Sequence, residues 1–154
     1  MPLPVTLKLP WAPSANQIWR NHSAGQVYLA KKYQVFLEQA YYAWLAQGAP
    51  HFKSKAAQVA LYLYPPSAHG YDVDNRIKPT LDALTKIGFW KDDRIVRKVS
   101  ASAERPVEGG AIIVVADALV EGQDPNSQAF INKYNLKPFK LKSGRNAKRT
   151  NNKK

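Results

Sequence analysis

The chain has 154 residues, with 23 Lys and Arg against 11 Asp and Glu, a formal net charge of +12. Cysteine is absent, which excludes a disulfide framework, thiolate zinc sites, iron–sulfur clusters and a cysteine nucleophile. The length suits one domain with a core of its own. No apolar run reaches the ~18 residues that span a bilayer, and the opening Met1-Pro2-Leu3-Pro4 lacks the basic and apolar parts of a leader, so a cytoplasmic protein with polyanionic partners is expected.

Residues 4–9 alternate Val5, Leu7 and Leu9 against Thr6 and Lys8, the period of a half-buried strand. Pro10-Trp11-Ala12-Pro13-Ser14 ends it, and residues 16–26 read as a polar loop. Leu29, Tyr33, Phe36, Leu37, Ala40 and Trp44 recur at helical spacing, which predicts a helix over about 30–47, with Gly48 as its stop. A second strand is predicted over 55–64, broken by Pro65-Pro66, and a shorter helix over about 75–87, closed by Gly88. Residues 94–103 and 111–119 read as two strands forming a hairpin around Pro106 and Gly109-Gly110. The order β-α-β-α-β-β predicts an α+β fold, with helices packed on one small mixed sheet.

The charge is unevenly spread. Nine of the basic residues follow Asp124, the last acidic one, which leaves 14 basic residues upstream against all 11 acidic ones. The chain therefore divides into a nearly balanced body, residues 1–124, and a basic extension, residues 125–154. The extension is expected to be disordered from about residue 143, where nothing remains to bury. Its first half keeps Phe130, Ile131, Tyr134, Leu136, Phe139 and Leu141, which could dock on the body or stack on bases. Such a tail binds polyanions in general and says nothing of reaction type.

Acidic residues are scarce, yet Asp72 and Asp74 lie one residue apart, and Asp92 and Asp93 are adjacent beyond the short helix. In an extended segment, side chains at i and i+2 point the same way with Cα atoms ~6–7 Å apart. Two such charges repel unless a cation sits between them, and Mg²⁺ commonly takes one or two carboxylates with phosphate and water. The Gly88 turn could return Asp92-Asp93 towards the first pair. Lys78 stands four residues after Asp74. It suits either an i,i+4 ion pair or a cation beside a scissile phosphate. Asp82, four residues further, could orient it. The bland alternatives are a helix cap at Asp74 and an ordinary turn at Asp92-Asp93. Pro79 suggests that the regular helix begins close to it. His69, in the preceding loop, reads as a loop histidine.

The whole phrase Asp72-Val73-Asp74-Asn75-x-x-Lys78, Asp82-Ala83-Leu84, Gly88-Phe89-Trp90 and Asp92-Asp93 resembles the RusA family of Holliday junction resolvases, the crossover junction endodeoxyribonucleases. Pro10-Trp11-Ala12-Pro13-Ser14-Ala15-Asn16 is similar to that family's opening segment, so the resemblance covers about residues 4–118. It implies a RusA-like fold and a homodimer with one active site per subunit. It implies Mg²⁺ held by Asp72, Asp74 and Asp93, with Lys78 as the catalytic lysine. Asn75 would hold the site or contact the DNA backbone; Asp92 matches as well but is the weaker candidate ligand. The substrate implied is branched DNA, a four-way junction nicked in pairs during recombination and repair in a bacterial or phage-infected cell. Asn16, Arg20, Asn75, Arg76, Arg94 and Lys98 are the candidate DNA contacts, with Lys31, Lys32 and Arg97 as further cations of the body.

This sequence departs from the family in two places. A run of arginines precedes the first aspartate in the best-known form, whereas residues 65–71 here contain no Lys or Arg. Ile95 stands where a glutamine often follows the double aspartate. Two other readings remain: a broader nuclease for flaps and forks, and a non-catalytic nucleic-acid-binding module whose carboxylates only cap and pair.

Overall fold

All six expected elements form in the computed structural model, which describes residues 4–21, 27–120 and 128–137. Strand β1 is Val5–Leu9, followed by the short strands β2, Trp19–Asn21, and β3, Val27–Leu29. Helix α1 is Lys31–Ala46, strand β4 Ala57–Tyr64 and helix α2 Asp74–Ile87. Strands β5, Val96–Ala103, and β6, Ala111–Ala118, complete the body, and helix α3, Gln128–Lys133, follows. Short 3-10 turns lie at Ala15–Gln17 and Asp93–Ile95.

The four long strands make one mixed sheet in the order β1-β6-β4-β5, and β2 pairs with β3 separately. Period-2 alternation decides which face is covered. Leu7 and Leu9, Val59, Leu61 and Leu63, and Ile112, Val114 and Ala116 are all buried. Tyr33, Phe36, Ala40 and Trp44 of α1 and Ala83, Leu84 and Ile87 of α2 belong to the same core. Burying each such leucine contributes roughly 1.5–3 kcal/mol. At the end of α1, Gln47 closes the outer edge of β1. The Lys8 amide donates to Gln47 Oε1 at 2.8 Å, and Gln47 Nε2 donates to the Lys8 carbonyl at 2.7 Å. This occupies the Lys8 position on a strand edge that could otherwise recruit another chain.

The expected hairpin is not formed. Strand β4 lies between β5 and β6, parallel to the first and antiparallel to the second. The reason is the crossover: β4, α2 and β5 form a βαβ unit, which requires β5 to return parallel beside β4. The Gly109-Gly110 segment then belongs to a loop that crosses the end of β4. The Glu104 amide donates to the Leu63 carbonyl and the Val107 amide to the Pro65 carbonyl, at 2.8 and 2.9 Å.

Two further expectations are corrected, and the extension adds a helix. Part of the polar loop over 16–26 is strand: Trp19 pairs with Leu29, Arg20 with Tyr28 and Asn21 with Val27. Helix α2 starts at Asp74 rather than near Pro79, which lies buried inside it. The extension carries α3, ended by Asn135 in the left-handed conformation, with Tyr134 and Leu136 about half exposed. The tail from residue 143 lies outside the described residues. Among the described residues, no helix is long and apolar enough to cross a membrane.

Candidate active site and its relatives

Asp72 and Asp74 do not sit on an extended segment. Val73 has helical torsions (φ −60°, ψ −44°), so the chain is already turning into α2 between them. The i,i+2 argument for a shared direction therefore does not apply; the two carboxylates flank the helix start instead. Helix α2 has no side-chain cap, so Asp74 is not the N-cap that its position suggested. As the first residue of the helix it favours the macrodipole by about 0.3–1 kcal/mol. Asn75 Nδ2 donates to Asp72 Oδ2 at 3.2 Å, which orients that carboxylate.

Lys78 pairs with Asp82 at 3.0 Å, not with Asp74. Its side chain remains 64% exposed, so the pair directs the ammonium without hiding it; an exposed pair of this kind adds little stability. Pro79 has no amide to offer the preceding turn, while Thr80 Oγ1 donates to the Arg76 carbonyl at 2.7 Å. The first turn of α2 thus holds Asp74, Asn75, Arg76 and Lys78 in sequence, with Asp72 just before it.

The second acidic pair is split by role. Asp92 caps the 3-10 turn Asp93–Ile95: its carboxylate accepts from the Arg94 amide and from Arg94 Nε, both at 2.8 Å. The side-chain hydrogen bond from Arg94, joined by the backbone one, holds the Asp92 carboxyl below the usual carboxylate range. The carboxylates of Asp74 and Asp93 have no hydrogen-bond or ion-pair partner among the described residues. The Asp93–Ile95 turn, which follows the Gly88 turn, contacts α2. Gly88 takes φ +97°, and Phe89 is anchored by the Phe52 amide donating to its carbonyl at 2.8 Å.

All the expected ligands are hard oxygen donors, the chemistry that Mg²⁺ prefers. Among the described residues, however, no three His, Asp or Glu side chains stand together as a group that could hold a metal ion. The donor set suits the ion in kind, and the side chains do not form a ready-made cage.

The expected DNA contacts separate into exposed and engaged residues. Asn16 is exposed on the 3-10 turn Ala15–Gln17, which Ser14 caps and which packs against α2. Arg20 is exposed on β2 beside Trp19, itself 57% exposed. Lys31 and Lys32 are exposed at the start of α1, and Arg97 and Lys98 on β5. Arg94 is open to solvent although bound to Asp92 at 2.6 Å. His69 is exposed and hydrogen-bonds Ser67, at 3.1 Å.

Arg76 differs from the others. Its guanidinium lies 5.1 Å from the Trp11 ring centre and 5.9 Å from that of Tyr71, and donates to the Ala12 carbonyl. Trp11 and Tyr71 meet edge to face at 5.0 Å. Burial pulls Arg76 below the ordinary guanidinium value, opposed by Tyr71 and Asp72; it remains charged. Arg76, one of the expected DNA contacts, thus joins residues 11 and 12 to the start of α2. No local pattern pointed to this, because its partners Trp11 and Ala12 are more than sixty residues away.

Comparison with known proteins agrees with the resemblance in the motif. The model of the family described as Endodeoxyribonuclease RusA matches residues 10–116. A crossover junction endodeoxyribonuclease RusA of Enterobacteria phage 82 is 33% identical over 89 residues, 56% of this chain and 72% of that protein. The Escherichia coli O139:H28 protein of the same name is 32% identical over 93 residues, 59% of this chain and 75% of its own. That of Escherichia coli K12 is 32% identical over 90 residues, 57% and 72% of the two chains. With the family model matching residues 10–116, most of the body, the chain belongs to the RusA endodeoxyribonuclease family.

Proposed function

We propose that this protein resolves four-way DNA junctions by paired, Mg²⁺-dependent nicking as a homodimer. The observation that carries the reading is the pair of unpartnered carboxylates, Asp74 and Asp93, on two segments in contact, with the ammonium of Lys78 on the adjoining turn.

Each residue then has a part. Asp72, Asp74 and Asp93 would hold Mg²⁺, which when bound polarises a phosphodiester and acidifies a water. Asn75 orients Asp72, and no ion pair has to break before Asp74 or Asp93 takes on a ligand. Lys78, aimed by Asp82, offsets the negative charge that grows on the phosphate. Arg20, Arg94, Arg97 and Lys98 bind phosphates and make affinity salt-dependent, and Asn16 adds a polar contact. A four-way junction is close to two-fold symmetric, so a C₂ dimer can present one site to each of two opposed strands.

The test is a synthetic mobile junction, a flap and a plain duplex incubated with and without Mg²⁺, with nicks mapped on every strand. Symmetric nicks on the junction, abolished by EDTA and by Asp74→Asn while junction binding persists, are expected. Equal cleavage of the flap would point to a broader branched-DNA nuclease. Binding without cleavage would leave a non-catalytic module.

A further inference from the structure

We infer that Arg76 is a positioning residue that locks residues 11–17 against the first turn of α2 and thereby sets Asp74 and Lys78 for cleavage. The inference rests on the nuclease reading above and names a residue that this reading does not use. Arg76 is the only cation of the body engaged at once with two rings and a distant backbone carbonyl among the described residues. Its Nε is buried with no hydrogen-bond partner. A guanidinium this enclosed cannot leave its place to follow a phosphate without breaking the Ala12 bond and both ring contacts.

Geometry shows what the lock controls. Arg76 lies two residues from Asp74 and two from Lys78, so a shift of its backbone moves both. Its own carbonyl is held by Thr80 Oγ1, and its far end is held by Trp11, Tyr71 and Ala12. Tyr71 immediately precedes Asp72 and is tied to β4 through the Leu63 carbonyl at 3.5 Å. One side chain therefore links Trp11 and Ala12, which lead to the turn bearing Asn16, the lead-in to Asp72 and the start of α2. The helix start has no side-chain cap of its own, so this clamp supplies restraint that capping would otherwise provide. A planar, five-donor cation suits the task. It can stack and donate together, whereas an ammonium does so less well.

The experiment uses the full chain on a four-way junction, with kcat, KM, junction affinity in EDTA and melting temperature measured for each variant. Arg76→Met keeps the bulk and loses the donor and charge. Its kcat is expected to fall about 10- to 100-fold, the effect of ångström-scale misplacement, with KM and junction affinity within about twofold. Arg76→Lys is expected to recover part of the kcat. A kcat of Arg76→Met close to wild type would overturn the inference. So would a loss carried by KM and binding, which would make Arg76 a DNA contact after all. If Arg76→Met does not fold, Trp11→Leu decides: a kcat loss at unchanged KM supports the clamp, and an unchanged kcat refutes it. Arg105→Ala controls for loss of one exposed charge. Asp74→Asn runs in parallel. Its retention of cleavage would defeat the nuclease assignment itself, whereas an inactive Asp74→Asn beside a normal Arg76→Met would defeat only the clamp.

Discussion

Replacing Gly110 by alanine puts a methyl group where the loop leading into β6 meets the Trp11 segment. Gly110 has φ +70°, and an added Cβ would stand 2.9 Å from Trp11 Cβ, 3.0 Å from Pro66 Cδ and 3.1 Å from the Pro66 nitrogen. Two costs add. The left-handed backbone costs an L-residue about 1–2 kcal/mol, and forcing a carbon into a filled space about 1–3 kcal/mol more. Gly109 separates them, because it has φ +75° but nothing within 4 Å of its added Cβ. Urea unfolding of both variants should show Gly109→Ala losing about 1–2 kcal/mol and Gly110→Ala about 2–5 kcal/mol. At this size each kcal/mol lowers Tm by about 2–4 °C. The excess for Gly110 measures the contact with Trp11 and Pro66. Because Trp11 also carries Arg76, cleavage by the Gly110 variant should fall further than its folded fraction explains. Equal losses at both glycines, or a loss below 1 kcal/mol at Gly110, would refute the close-packing account.

Other consequences are simpler to read. Arg94→Ala should return the Asp92 carboxyl upward towards the ordinary range, visible by carboxyl NMR titration. The folded-state value is lowered, so the contribution to stability exists at neutral pH and is lost as pH falls through it; the variant should lose that acid-side dependence. Tyr33 is wholly buried, its hydroxyl has no hydrogen-bond partner among the described residues, and burial followed by the Asp82 charge pushes its pKa up to about 12 from 10.0. Its contribution is complete below pH 10 and disappears towards pH 12; Tyr33→Phe should flatten stability across that window and, at pH 7, be neutral or stabilising by up to about 1 kcal/mol. A clear destabilisation at pH 7 would mean that the hydroxyl is bonded. Deleting residues 143–154 removes five cations, so a plot of log affinity for DNA against log salt should become shallower by up to about 0.9 per lost phosphate contact.

Much of the body could be read from residue order. The period of two over residues 5–9 and 57–64, and the helical spacing of Tyr33, Phe36, Ala40 and Trp44, became buried faces as expected. Gly88 ended α2 in the left-handed conformation that glycine tolerates. The motif favoured Asp93 over Asp92 as a ligand; the structure engages Asp92 with Arg94, a partner two residues along that the motif did not specify. The short β2–β3 ladder escaped notice because each strand has three residues, too few to establish a period.

Local pattern and motif spacing determined the elements, their order and the identity of the acidic residues, because each depends on neighbours within a few residues. Only tertiary structure decided the strand order. A loop between two strands fits a hairpin or a crossing over an intervening strand equally well, and the βαβ crossover selects the second. Tertiary structure also decided what Arg76 does. A charge in the sequence has no direction until folding brings Trp11, Ala12 and Tyr71 around it, and those contacts are what the clamp proposed for Arg76 rests on.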